Sequence, residues 1–147
     1  MNTMLFQVLA AAAGALGFSL LYQIRGVKLI FCVLGGALSW LCYLLTADAG
    51  LGTLGSYLAA SVFVSVYAEV MARLLKAPAT VFYVPSVIPL VPGGSLYYTM
   101  IAAMERNWAE FSARGLDTIA FAAAISGGIL AVISVRSLFL SIKPKRK

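Results

Sequence analysis

Apolar residues run along this chain in blocks of about 20, the length that carries an α-helix across the hydrocarbon core of a bilayer. Five blocks can be delimited, over residues 4–24, 29–46, 54–72, 79–104 and 118–142. The first holds no charge and is ended by Arg25 and Lys28, and the second gives way to a Gly-rich turn over 47–53. The third is interrupted only by Glu69 and closes at Arg73, Lys76 and Pro78, while a mixed-charge loop over 105–117 separates the fourth from the fifth. The first block has the outline of a signal peptide, but it lacks a basic start and exceeds the roughly 7–15 apolar residues of such a segment, so it is read as a span. The pattern predicts an all-α integral membrane fold of five transmembrane helices in one domain over 1–147.

Composition agrees. Of 147 residues 62% are apolar and 11% charged, with a mean hydropathy of +0.96, whereas a soluble domain usually carries about 25% charged residues. The absence of histidine excludes His-based metal sites, Ser-His triads and His proton relays. Cys32 and Cys42 lie inside one apolar block and form neither a zinc cage nor a disulfide framework. No metal or cofactor is expected.

The net charge of +6 reads as a topology signal rather than as a nucleic-acid interface. Arg25, Lys28, Arg73, Lys76, Arg136 and the four basic residues of 143–147 fall on one side, and only Arg106 and Arg114 on the other. The positive-inside rule makes the richer side cytoplasmic, with the N-terminus out, the C-terminus in, and the chain in the cell (inner or plasma) membrane. Clusters of small residues at 10–17, 35–37, 59–61, 122–124 and 126–128 suit close helix packing in lipid. Trp40, Tyr43, Tyr57 and Trp108 read as interfacial anchors.

The fourth block departs from a plain helix. Pro85, Pro89 and Pro92 each lack an N–H and clash with the carbonyl four residues back, freeing the carbonyls of Val81, Pro85 and Ile88. Gly93 and Gly94 follow, free to take positive φ, and Ser95 is placed to cap a half-helix through Tyr97 and Tyr98. A continuous helix over 78–104 would be roughly 40 Å long against a core of roughly 30 Å, so a break at mid-membrane is expected over 85–94. Irregular backbone at that depth lines protein or trapped water. Free carbonyls there suit an ammonium group, and the first-turn amides suit a carboxylate, as in the discontinuous helices of secondary transporters. The candidate substrate-binding set is therefore Pro85, Ser86, Pro89, Pro92, Gly93, Gly94, Ser95, Tyr97 and Tyr98. Glu69 has two readings, a proton-coupling carboxylate or an i,i+4 partner of Arg73.

The stretch from Pro78 to Gly93, with its Ile88-Pro89-Leu90-Val91-Pro92-Gly93 core approached through Glu69 and Arg73, resembles the threonine/serine exporter family, specifically its small five-helix second half. The resemblance implies export of threonine and serine, or of small dicarboxylates such as succinate. It also implies a larger five-span partner subunit with a soluble cytoplasmic domain, the two halves being inverted repeats. A non-transporting structural subunit and a homo-oligomer remain alternatives at this stage. An intramembrane enzyme does not fit, because the chain has no HExxH, no GxSxG and no pair of membrane aspartates.

The charge bias yields a direct test. Single cysteines placed in the 25–28 turn and in the 105–117 loop, in a chain with Cys32 and Cys42 replaced, should label from opposite sides with an impermeant reagent. Labelling from one side refutes the topology.

Overall fold

A computed structural model describes the backbone of residues 2–142 and the side chains of 3–138. The basic tail at 143–147, on which part of the orientation argument rests, lies outside the described residues. The elements are α1 (Asn2–Leu21), α2 (Val27–Asp48), α3 (Gly52–Leu74), α4 (Ala79–Val87) running into a 3-10 turn at Ile88–Leu90, α5 (Gly93–Met104) and α6 (Trp108–Ile142). Among the described residues, four straight helices are long and apolar enough to cross a membrane, and α4 with α5, bent by 50°, passes jointly.

The helices stop where backbone geometry stops them. Gln23, Gly50, Lys76 and Arg106 take φ of 57°, 87°, 48° and 57°, the left-handed conformation that closes a helix. After each, the next amide reaches back five residues: Ile24 to Ser19, Leu51 to Thr46, Ala77 to Ala72 and Asn107 to Ala102. Only one of the four positions is glycine, so the ends are poorly marked in sequence. The expected loop over 105–117 is mostly helix. Asn107 Oδ1 accepts the Glu110 amide at 3.3 Å while its Nδ2 donates to Glu110 Oε2 at 3.2 Å, a reciprocal cap that starts α6 at Trp108. At about 1.5 Å per residue, α6 is longer than a hydrocarbon core is thick. Its first turns carry Glu110, Arg114 and Asp117, as suits a stretch emerging from lipid.

α3 is the central helix. It packs on α2, α4 and α6, while α1 lies on α2 and α5 on α6. Cys32 meets Val81, Ser39 meets Ser86 and Gly36 meets Pro89, so α2 and α4 run parallel. Tyr57 meets Phe121, Ser61 meets Gly128 and Glu69 meets Arg136, so α3 and α6 run parallel as well. The core divides into a cluster of Tyr57, Ala60, Val64, Leu90, Ala124 and Ile125 and a smaller one of Cys32, Ala68 and Phe82.

Small residues set the spacing at part of the positions expected. Gly35 lies against Ser86 and Tyr67, Gly36 against Ala15, and Gly128 against Ser61, each too close to admit a Cβ. Gly14, Gly17 and Gly127 by contrast face open space, and Ala122, Ala123 and Ser126 are exposed. The aromatic residues depart from the interfacial reading. Trp40, Tyr43, Tyr57 and Phe121 form a continuous run with centroid spacings of 4.9, 4.7 and 5.0 Å, joining α2, α3 and α6 through the favourable packing of offset rings. Tyr57 is buried; Trp108 is exposed.

Adding a methyl group should therefore separate the two kinds of glycine. Gly35→Ala is expected to destabilise the protein by about 1–3 kcal/mol through overpacking, and Gly17→Ala to leave it unchanged or firmer. Thermal unfolding in detergent of both variants is the measurement.

Candidate functional site

The span that the prolines interrupt is broken over a shorter stretch than 85–94. Pro85 sits inside α4, and regular structure lapses only at Val91 and Pro92 before α5 begins at Gly93. The carbonyl of Val81, which loses its helical donor to Pro85, accepts the Cys32 thiol at 3.3 Å. The Ile88 carbonyl accepts the Val91 amide at 3.1 Å. These two carbonyls are thus satisfied within the chain, contrary to the expectation that they stay free for a cation. Ser39 adds a third link, its hydroxyl donating to the Ser86 carbonyl at 2.9 Å.

Gly93 and Gly94 do not take positive φ; the positive-φ glycines are Gly26, Gly50 and Gly52. They form the first turn of α5, with Pro92 at the cap position. Ser95 is not the cap. It lies one turn inside, where its Oγ accepts from Thr118 Oγ1 at 2.9 Å, and Thr99 Oγ1 donates to the Ser95 carbonyl at 2.8 Å. The Thr118–Ser95 bond ties α5 to α6, while the Thr99–Ser95 bond lies within α5. The first bond of α5 runs from the Leu96 amide to the Pro92 carbonyl at 3.0 Å, leaving the amides of Gly94 and Ser95 without a helical acceptor.

The nine candidate residues therefore separate into three groups. Pro85 and Ser86 are buried and Pro89 half-buried, with Ser86 and Pro89 on the seam with α2. Ser95 belongs to the α5–α6 contact. Pro92, Gly93, Gly94, Tyr97 and Tyr98 border an open face, on which a Cβ at either glycine would touch nothing. Tyr97 and Tyr98 are both exposed, with their rings edge to face at 5.5 Å and the Arg114 guanidinium 5.6 Å above the Tyr98 ring.

Glu69 does not pair with Arg73. It pairs with Arg136 of α6, five residues before the end of α3 and six before the end of α6. A helical i,i+4 partner on the exposed side is worth a few tenths of a kcal/mol, whereas in an apolar surround an unpaired charge costs far more. Each ion placed within an apolar block thus selects the other. In the sequence Arg136 counts only toward the charge on the cytoplasmic side, and the sign of its pairing role is its position within an apolar block. Beside the pair, α3, α4 and α6 enclose a cavity of 280 Å³ that Ser65, Thr80 and Tyr83 also line. Among the described residues, the buried Tyr83 hydroxyl and Ser86 hydroxyl have no hydrogen-bond partner. Ser65, Thr80, Tyr83 and Arg136 were not singled out from sequence, because they meet only through contacts between helices.

A bundle of apolar helices with one discontinuous span and an ion pair between two others defines a multi-pass membrane protein. Comparison narrows the class: the family model described as Threonine/Serine exporter, ThrE, matches residues 7–135. The chain belongs to the threonine/serine exporter family, whose members are transporters and not enzymes. No solved structure matches it.

The long-range pair makes a prediction. Glu69 is 18% exposed and Arg136 45%, so the pair falls between the exposed and the buried case, and Arg136→Gln should cost about 1–2 kcal/mol. Arg73→Gln should cost less than about 0.5 kcal/mol. Chemical or thermal unfolding of the two variants side by side checks the difference.

Proposed function

We propose that this protein is the five-crossing subunit of a secondary exporter, moving a small amino acid of the threonine/serine type out across the cell membrane. The observation that carries the reading is the break before α5: an unwound turn, two free amides and a positive helix end on a face the chain leaves uncovered. The parallel course of α3 and α6 supports counting α4 with α5 as one crossing, since the chain must return to its starting side between them. Nine basic residues against two support N-out, C-in.

A partner subunit follows from the same face. Among the described residues α5 packs chiefly on α6, and Leu96, Tyr97, Tyr98 and Met100 are exposed. The small residues Ala122, Ala123, Ser126 and Gly127 on α6 are exposed too, a surface that lets another helix approach closely in lipid. A larger five-span partner with a soluble cytoplasmic domain would close the substrate site from that side. Glu69, the acidic residue within a span, serves as the coupling carboxylate.

Replacing Pro89 and Pro92 with Ala supplies amide donors in the 3-10 turn and at the cap of α5 and removes two ring constraints. The Pro89→Ala/Pro92→Ala protein is expected to be no less stable and to lose most threonine efflux from vesicles holding both subunits. Full efflux by the double variant would place the substrate site elsewhere.

A further inference from the structure

The cavity beside Glu69 and Arg136 has features that a structural staple between two helices does not require. α4 and α6 both pack on α3 and leave 280 Å³ between them, lined by the pair together with Ser65, Ala68, Thr80 and Tyr83. A second cavity of 220 Å³ lies against the other flank of the pair, between α3 and α6. The two charged side chains therefore have room on both sides and can change direction without displacing packed neighbours. The remaining walls are mostly apolar, with Val132 and Ile133 facing one cavity and Val66, Val70 and Val135 the other, where Arg73 at the helix end adds a second cation. In such a surround, neither ion can give up its partner unless another takes its place.

A zwitterion meets that condition. We propose that this cavity is a loading site for a free α-amino acid, whose ammonium replaces Arg136 on Glu69 while its carboxylate replaces Glu69 on Arg136. The exchange conserves both opposite-charge contacts, and guanidinium is suited to a two-pronged grip on carboxylate. The Tyr83 hydroxyl, buried without a partner, then meets a side-chain hydroxyl of the bound molecule. A site that offers an unsatisfied hydroxyl favours ligands able to satisfy it. The cavity lies near the ends of α3 and α6 that carry the basic flanking residues, the side from which an exporter collects its cargo. The proposal rests on the exporter reading and adds a first stop before the break at Pro92.

Binding of radiolabelled L-threonine to the full chain in lipid nanodiscs tests it. Glu69→Gln and Arg136→Gln should each weaken binding about tenfold to a hundredfold, the worth of a charge-assisted hydrogen bond. On the unaltered chain, N-acetyl-L-threonine, which lacks the ammonium, and L-threoninamide, which lacks the carboxylate, should compete more weakly than threonine by a similar factor. Tyr83→Phe should narrow the preference for threonine over L-2-aminobutyrate, its analogue without the hydroxyl. Equal competition by both analogues, or unchanged binding in both charge variants, overturns the loading site and leaves the exporter reading standing. No threonine binding to the unaltered chain likewise overturns the loading site, while the exporter reading stands or falls on efflux from vesicles holding both subunits. Because the analogues act on the unaltered protein, a variant that fails to fold does not blunt the test.

Discussion

Inside a bilayer there is no water for a peptide carbonyl that has lost its helical donor, and that constraint organises this molecule. Three prolines in one span remove three donors. The Val81 carbonyl takes the Cys32 thiol of α2 and the Ile88 carbonyl the Val91 amide, while Ser39 of α2 bonds the neighbouring Ser86 carbonyl. The two α2 side chains are short, so α2 and α4 must lie close, and Gly35 and Gly36 provide the clearance. Bulkier residues at 35 and 36 would push α4 away from Cys32 and Ser39. Glycines on one helix and prolines on another are in this sense a single feature.

Charge obeys the same rule. Glu69 and Arg136 lie 67 positions apart, yet each is the partner that makes the other tolerable within an apolar block. Their pairing fixes the register of α3 against α6 at one end. The aromatic run through Tyr57 and Phe121 and the Ser61–Gly128 contact fix it further along. The central helix is thus held at three levels, and membership of the threonine/serine exporter family gives this rigid parallel pair a place in a transport protein.

The apolar helices were legible in the sequence because bilayer thickness imposes a length that 20-residue blocks reproduce, and the interrupted span because proline acts locally. Helix ends were harder to read. Gln23, Lys76 and Arg106 adopt a conformation usually given to glycine, and the Asn107–Glu110 cap turns an apparently polar loop into helix. The site was least legible. Local spacing pointed Glu69 at Arg73, and only the folded arrangement shows a more deeply placed cation on α6. Ser95 looked like a cap because it follows two glycines, but Pro92 already occupies that position. Tyr57 has the composition of an interfacial anchor, and its burial comes from three helices converging on it.

The bend before α5 has a mechanical meaning. α4 is fastened to α2 by two hydrogen bonds, and α5 is fastened to α6 by the bond from the Thr118 hydroxyl to the Ser95 hydroxyl. One half of the interrupted span therefore travels with the first three helices and the other half with the last. Any change in the angle between α4 and α5 has to be absorbed at Val91 and Pro92, where regular helix lapses. The joint sits beside the two free amides, so displacement of the helices and the shape of the open face are geared to each other.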